Sequence, residues 1–274
     1  MKSQRIQILL GSALLILVLA ACSGSPASTA SGNKPIPVGN TGNQPMHTAA
    51  APTQAAPVPS SGGCSNAYFP VSTGTNWSYS SSGNRLGAYT YTWTITDASD
   101  SGFTTHDVYS TGVTADLKWG CKDGNLTPLG AGADSLDYST SKMKVTSQSI
   151  TTDGYTVPSS FRDGKKWNFN LTDDSLVTSG TRSITSQMVQ HYECSFAGTD
   201  SVTVPAGTFN TAKVICTEAV TESAILQGTP IPVGAPITVN ITDWYAKGVG
   251  EVQSVRTSIA GGTETIVLTK YNVQ

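Results

Sequence analysis

Between Ala88 and Thr96 the chain reads Ala-Tyr-Thr-Tyr-Thr-Trp-Thr-Ile-Thr, with aromatics and Ile95 at odd positions and threonine at every even position from 90 onward. Strict period-two alternation of strong strand formers turns one face toward a core and the other toward water. Lys122-Asp123-Gly124-Asn125 and Thr152-Asp153-Gly154-Tyr155 each set Asp-Gly between strand-like runs, the strongest short hairpin signal. Gly83-Asn84 and Gly261-Gly262 read as further turns. No apolar pattern at i, i+3, i+4 persists for a dozen residues. Residues 64–274 therefore read as one all-β, mostly antiparallel domain of roughly ten to twelve short strands, spaced as in a sandwich or barrel. That length suffices for a sizeable core.

The chain before this domain has a different character. Lys2 and Arg5 precede an apolar stretch from Ile6 to Ala21, the pattern of a secretory signal peptide over residues 1–21. The stretch is shorter than the roughly 20 apolar residues a spanning helix needs, and Gln7, Gly11 and Ser12 interrupt it. Leu19-Ala20-Ala21-Cys22 resembles the lipobox of bacterial lipoproteins. The resemblance implies a diacylglycerol on Cys22, cleavage just before it, and attachment to a bacterial membrane at the cell surface or periplasmic face. Two or three acyl chains anchor stably where one would be marginal. Residues 22–63 follow as a lipidated cysteine and a Ser/Gly/Pro/Ala/Thr-rich tether, too polar to bury the surface that folding requires. Its expected end-to-end distance is roughly 35 Å.

Four cysteines remain, Cys64, Cys121, Cys194 and Cys216, an even number in an exported chain, which favours two disulfides. Strand-like runs flank the turn at Pro205-Ala206-Gly207. Folding them back so that 204 faces 208 brings Cys194 close to Cys216. A bulge near Gly198-Thr199-Asp200, or a turn centred one residue earlier, absorbs the small mismatch. Cys64–Cys121 is then the second pair. No close Cys-x-x-Cys supports zinc.

Val202-Thr-Val-Pro-Ala-Gly-Thr-Phe209 and Trp244-Tyr-Ala-Lys-Gly-Val-Gly-Glu-Val252, with Gly74…Trp77 near the domain start, resemble stretches of uncharacterised bacterial lipoproteins and envelope proteins. The likeness implies a strongly curved antiparallel sheet, a half-barrel similar to lipoprotein-carrier folds, and brings no catalytic residues. Physically both motifs are hairpins. Pro205 presets a turn, Gly207 permits positive φ, and Gly248 and Gly250 permit a tight reversal.

The chain holds 16 basic and 18 acidic residues, and loss of residues 1–21 leaves 14 basic. The resulting mild acidity speaks against a nucleic-acid partner. No nucleophile elbow, His-Glu-x-x-His, phosphate loop or dinucleotide fingerprint occurs, so neither catalytic residues nor a cofactor nor a metal site is expected. His106 and Asp107 are adjacent, but neighbouring strand residues face opposite sides. Asp173-Asp174 reads as a solvated loop. Two functions fit. One is an anchored binding module for an apolar or cell-envelope ligand, with Trp77, Trp93, Trp167 and Trp244 as candidate contacts. The other is a structural or adhesive envelope protein without a small-molecule pocket.

Overall fold

The computed structural model describes residues 62–83, 87–130, 137–139, 144–257 and 262–274. The signal peptide, Cys22, the tether up to residue 61, and the turn residues Asn84 and Gly261 lie outside the described residues. Alternation of apolar and hydroxyl side chains produces fourteen strands among the described residues. They are β1 (Asn76–Ser82), β2 (Tyr89–Ala98), β3 (Gly102–Tyr109), β4 (Thr114–Lys122), β5 (Asn125–Pro128), β6 (Asp137–Ser139) and β7 (Lys144–Gly154). Then come β8 (Lys166–Ser179), β9 (Arg182–Val204), β10 (Gly207–Leu226), β11 (Thr229–Pro232), β12 (Ile237–Ala246), β13 (Gly250–Thr257) and β14 (Thr263–Asn272).

Every strand pairing is antiparallel, in the order β11-β10-β12-β13-β14-β1-β2-β3-β4-β6-β7-β8-β9. Because β9 also pairs with β10, the sheet bends round into a nearly closed barrel. Its thinnest stretch is at β6, which meets β4 through three residue pairs and β7 through Ser139↔Lys144 alone. The outward positions of β2 are Thr90, Thr92, Thr94 and Thr96, not the apolar band of a membrane-spanning barrel.

Asp123 and Gly124 both take positive φ, 52° and 74°, and join β4 to β5 as the expected tight hairpin. Asp153-Gly154 does not form one. Both residues are still paired in β7, and the chain runs on through 155–165 before β8. Gly154 meets a different need: at φ +83° its backbone approaches so closely that an added Cβ would lie 2.2 Å from the Asn168 carbonyl oxygen. Asp173-Asp174 also departs from expectation. Both lie mid-strand in β8, where Asp173 is buried and Asp174 accepts a hydrogen bond from Gln187 at 2.9 Å. The described residues form more strands than the turn signals suggest, and three of them are not short: β8, β9 and β10 run for 14, 23 and 20 residues.

One end of the barrel is packed solid. Phe69, from the segment leading into β1, sits among Trp77, Trp93, Phe103 and Trp119 with ring centroids 5.2–5.9 Å apart. Phe161, from the β7–β8 connection, closes the same end against Tyr68 at 4.7 Å and Tyr245 at 5.4 Å. Buried Asn66 ties the two covering segments together, its amide donating to the carbonyls of Gly124 and Pro158. The two motif hairpins belong to this plug. The Trp77 indole N–H donates to the Val249 carbonyl, and a Cβ on Gly250 would sit 3.1 Å from that nitrogen. Ala206 N–H donates to the Leu268 carbonyl. Trp77-Tyr79 and Trp167-Phe169, which share a Gly-x-x-Trp-x-aromatic pattern, both turn inward at the start of a strand.

The disulfides are Cys64–Cys121 and Cys194–Cys216. Cys216 faces Cys194 directly across β9–β10, below a register shift between Ala212 and Val214, opposite Gly198. The described strands, the core and both disulfides all fall within residues 62–274.

Candidate functional site

Beyond the aromatic plug the barrel interior changes chemistry. The inward positions of β1, β2 and β3 continue as a tyrosine ladder. Tyr79 stacks on Tyr91 and Tyr91 on Tyr109, each at 5.0 Å and 21°. Asp107 on β3 and Asp243 on β12 also point inward, and Glu251 and Arg256 of β13 join them. The Tyr79 hydroxyl donates to the Glu251 backbone carbonyl at 3.0 Å. Glu264 accepts from Ser81.

Crowding these groups together has an electrostatic consequence. Burial, reinforced by the Asp243 charge, pushes the Glu251 carboxyl up to about 8, although Arg256 and a hydrogen bond from Tyr245 pull the other way. Burial also raises Asp243, opposed by Arg256 and a hydrogen bond from Ser254. Tyr79, Tyr91 and Tyr245 are pushed well above 10 by burial, so their phenols stay neutral. At neutral pH Glu251 therefore holds its proton, and the lumen is less charged than its residue types suggest. Although deeply placed, Tyr91, Asp243, Glu251 and Arg256 are each only partly covered. A second polar set lines the β7–β10 side. Asp173 accepts from Ser147 at 2.9 Å and from Ser175 at 3.0 Å, and Gln190 donates to Glu218 at 2.9 Å.

Above the lumen, one wall stands free. Strand β13 ends at Thr257, whose hydroxyl accepts from the Asn240 N–H, and Asn240 pairs with Thr217 of β10. Strand β10 continues to Leu226, about nine residues or roughly 30 Å farther. Strands β8 and β9 rise beside it. The inward positions of β10 run Cys216, Glu218, Val220, Glu222, Ala224, Leu226, so the face that is core below becomes open above. Ile231 pairs with Ala224 and Ile237 with Val220, which places both on this face. Exposure there is 50% for Leu226, 46% for Ile231, 37% for Val233 and Ile237, and 36% for Ile184. Burial raises the Glu222 carboxyl at the foot of the wall.

The tryptophans expected as ligand contacts occupy different surroundings. Trp77 is sealed in the plug, and Trp167 is buried with its indole donating to the Thr156 carbonyl at 3.1 Å. Trp244 lies on the outer face, 5.3 Å beneath the Lys213 ammonium. Trp93 faces inward opposite Asp107, is partly covered, and its indole N–H has no protein acceptor. His106 and His191 both point outward, to Asp116 at 2.7 Å and Asn170 at 2.6 Å. Among the described residues no group of three or more His, Cys, Asp or Glu could hold a metal ion. Two shallow hollows of about 380 and 480 Å³ mark the outer surface. The first is floored by hydroxyls such as Ser78, Thr90 and Thr92, and the second gathers Arg162, Asp163, Lys165 and Lys166 of one loop. The first also touches Tyr79, Tyr91 and Tyr109 of the ladder, and neither is lined by the apolar residues of the wall.

Inward carboxylates could have been found from alternation alone. Asp107 keeps phase with Phe103 and Thr105, and Asp243 with Ile241 and Tyr245.

No curated protein matches the chain. Among solved structures, an exported protein from Bacteroides fragilis, provisionally described as having a YmcC-like fold, aligns at 14% identity and TM-score 0.47, over 76% of this chain and 99% of its own. A provisionally described lipoprotein from Parabacteroides distasonis aligns at 18% identity and TM-score 0.48, over the same shares. The hypothetical lipoprotein YmcC from Escherichia coli aligns at 12% identity and TM-score 0.31, over 72% of this chain and 84% of its own. The model of the DUF3108-like family matches residues 105–257, from within β3 to the end of β13. That is more than half of the sequence, and the chain belongs to the DUF3108-like family.

Proposed function

We propose that this is an exported, lipid-anchored protein of the bacterial cell envelope that acts as a binding module and not as an enzyme. Its ligand is an apolar or amphiphilic envelope molecule held at the open end of the barrel. Leu19-Ala20-Ala21-Cys22 supports the anchor, through acylation of Cys22. The observation that carries the binding reading is the row Ile184, Leu226, Ile231, Val233 and Ile237, exposed on the face that continues the barrel interior. Soluble monomers rarely leave such side chains contiguous without a use for them. An apolar moiety has no room in the plug, where Trp77 and its neighbours fill the interior. It has room along the wall, with a polar group directed down toward Glu222 and the tyrosine-lined lumen. Trp93 packs in the plug against Phe69 and Trp77 and is not part of this wall.

The test uses the chain from Ser23 onward, exported without the anchor cysteine, titrated with a fluorescent apolar probe such as 1-N-phenylnaphthylamine. Leu226→Asp with Ile231→Asp should weaken binding about tenfold or more, since losing ~1.4 kcal/mol of apolar contact already costs that factor. Both positions are exposed, so thermal stability should hardly change. Equal binding by parent and variant would favour the structural or adhesive protein instead.

A further inference from the structure

We infer that the free wall docks on the lipid bilayer itself, with the apolar edge formed by Leu226, Ile231, Val233 and Ile237 entering the membrane interface. This rests on the anchored-envelope reading above and adds where the ligand-bearing face is held. Three observations carry it.

The first is charge. From Ser223 to Thr242 the chain contains no ionisable side chain, and this run includes all four of those exposed apolar residues. A charge-free strip enters an interface without stripping water from ions.

The second is the edge. Val233 N–H donates to the Glu222 carbonyl at 2.8 Å. Backbone groups alternate along a strand, so Thr229, Ile231 and Val233 turn toward β10, while Pro230 and Pro232 present their nitrogens to the open side. Neither proline has an N–H to offer there. Strand addition by a peptide or a second copy is thereby disfavoured. The same absence of donors suits contact with lipid, where an unmet N–H is costly.

The third is reach. The chain enters the domain at the plug end, and Leu226 lies at the other end of a 20-residue strand, about 66 Å away by strand rise. The forty residue steps from Cys22 to Gly62 can extend to about 130 Å. The wall can therefore meet the bilayer that holds the acyl chains. Tethering also raises the effective concentration of that surface to the millimolar range, so a weak intrinsic affinity suffices.

The experiment reconstitutes the full acylated protein in vesicles of phosphatidylethanolamine and phosphatidylglycerol, with and without brominated acyl chains. Ile231→Trp adds a reporter on the wall, and Val108→Trp adds one at an exposed position on the outer face of β3. Vesicle flotation is scored first. The expected result is that the protein floats, the emission added by Ile231→Trp is lost in brominated vesicles, and the emission added by Val108→Trp is retained. Flotation with no loss at Ile231→Trp, or equal loss at both sites, overturns the docking while leaving the anchor intact. A cross-linked dimer abolished by Ile231→Asp, without quenching, shows a second copy on the face and also overturns it. Failure to float overturns the anchor, and this inference with it.

Discussion

At the scale of single residues, the interior carboxyls set how the fold responds to pH. Glu251 holds its proton up to about 8 in the folded state against an ordinary 4.5, because burial and the neighbouring Asp243 charge oppose ionisation more than Arg256 favours it. The unfolded chain releases that proton above 4.5, while the folded chain retains it. Stability from this group is therefore fully present below about 4.5 and drains away as pH rises toward 8. Asp243 and Glu222, also raised by burial, act in the same direction. The melting temperature should fall between pH 5 and pH 8.5, and Glu251→Gln should flatten that slope, because glutamine can still accept from Tyr245. A slope of the same size in the variant would remove Glu251 from the account. These carboxyls were legible in outline, since strand phase puts Asp107 and Asp243 inside. Their company was not, because the Glu251–Asp243–Arg256 grouping depends on which strands become neighbours. The bulge between Trp244 and Tyr245 further shifts Glu251 against its partner strand.

At the scale of elements, the alternation over residues 88–96 and the Asp123-Gly124 turn specify their strand and hairpin directly, because both are local. The Asp153-Gly154 pair misleads because the same dipeptide also suits a position where two backbones approach closely. The Gly248 and Gly250 reversal and the Pro205 turn are local as well. What they support is long-range: the first locks Trp77 and the second rests on β14. Motif residues here build the plug, not the open end. In the β9–β10 hairpin, register decides which cysteines meet, and Cys194–Cys216 spans 22 residues. Replacing both by alanine should cost about 3 kcal/mol on the chain-entropy estimate, less any strain relieved. Chemical denaturation of the oxidised protein and the double variant measures it. Loss of less than about 0.5 kcal/mol would mean that β9 and β10 are held together by their ladder alone.

At the scale of the whole molecule, the domain divides along its axis into a packed aromatic end, a polar lumen and a free apolar wall. Binary patterning tells which side of each strand faces inward, and along β10 burial follows it from Cys216 to Val220, beyond which Ser223 is buried out of phase. It is silent about where the neighbouring strands stop. The wall is exposed because β13 ends at Thr257 while β10 runs on, a difference in strand length that no local signal records. The direct measurement is the mass of what leaves the cell with the protein. Chain from Ser23 onward, exported without its anchor cysteine and purified without organic solvent, should carry a noncovalent amphiphile in native mass spectrometry. Leu226→Asp with Ile231→Asp should come away bare. Parent protein that is equally bare, with its mass accounted for by the polypeptide alone, would contradict a binding module.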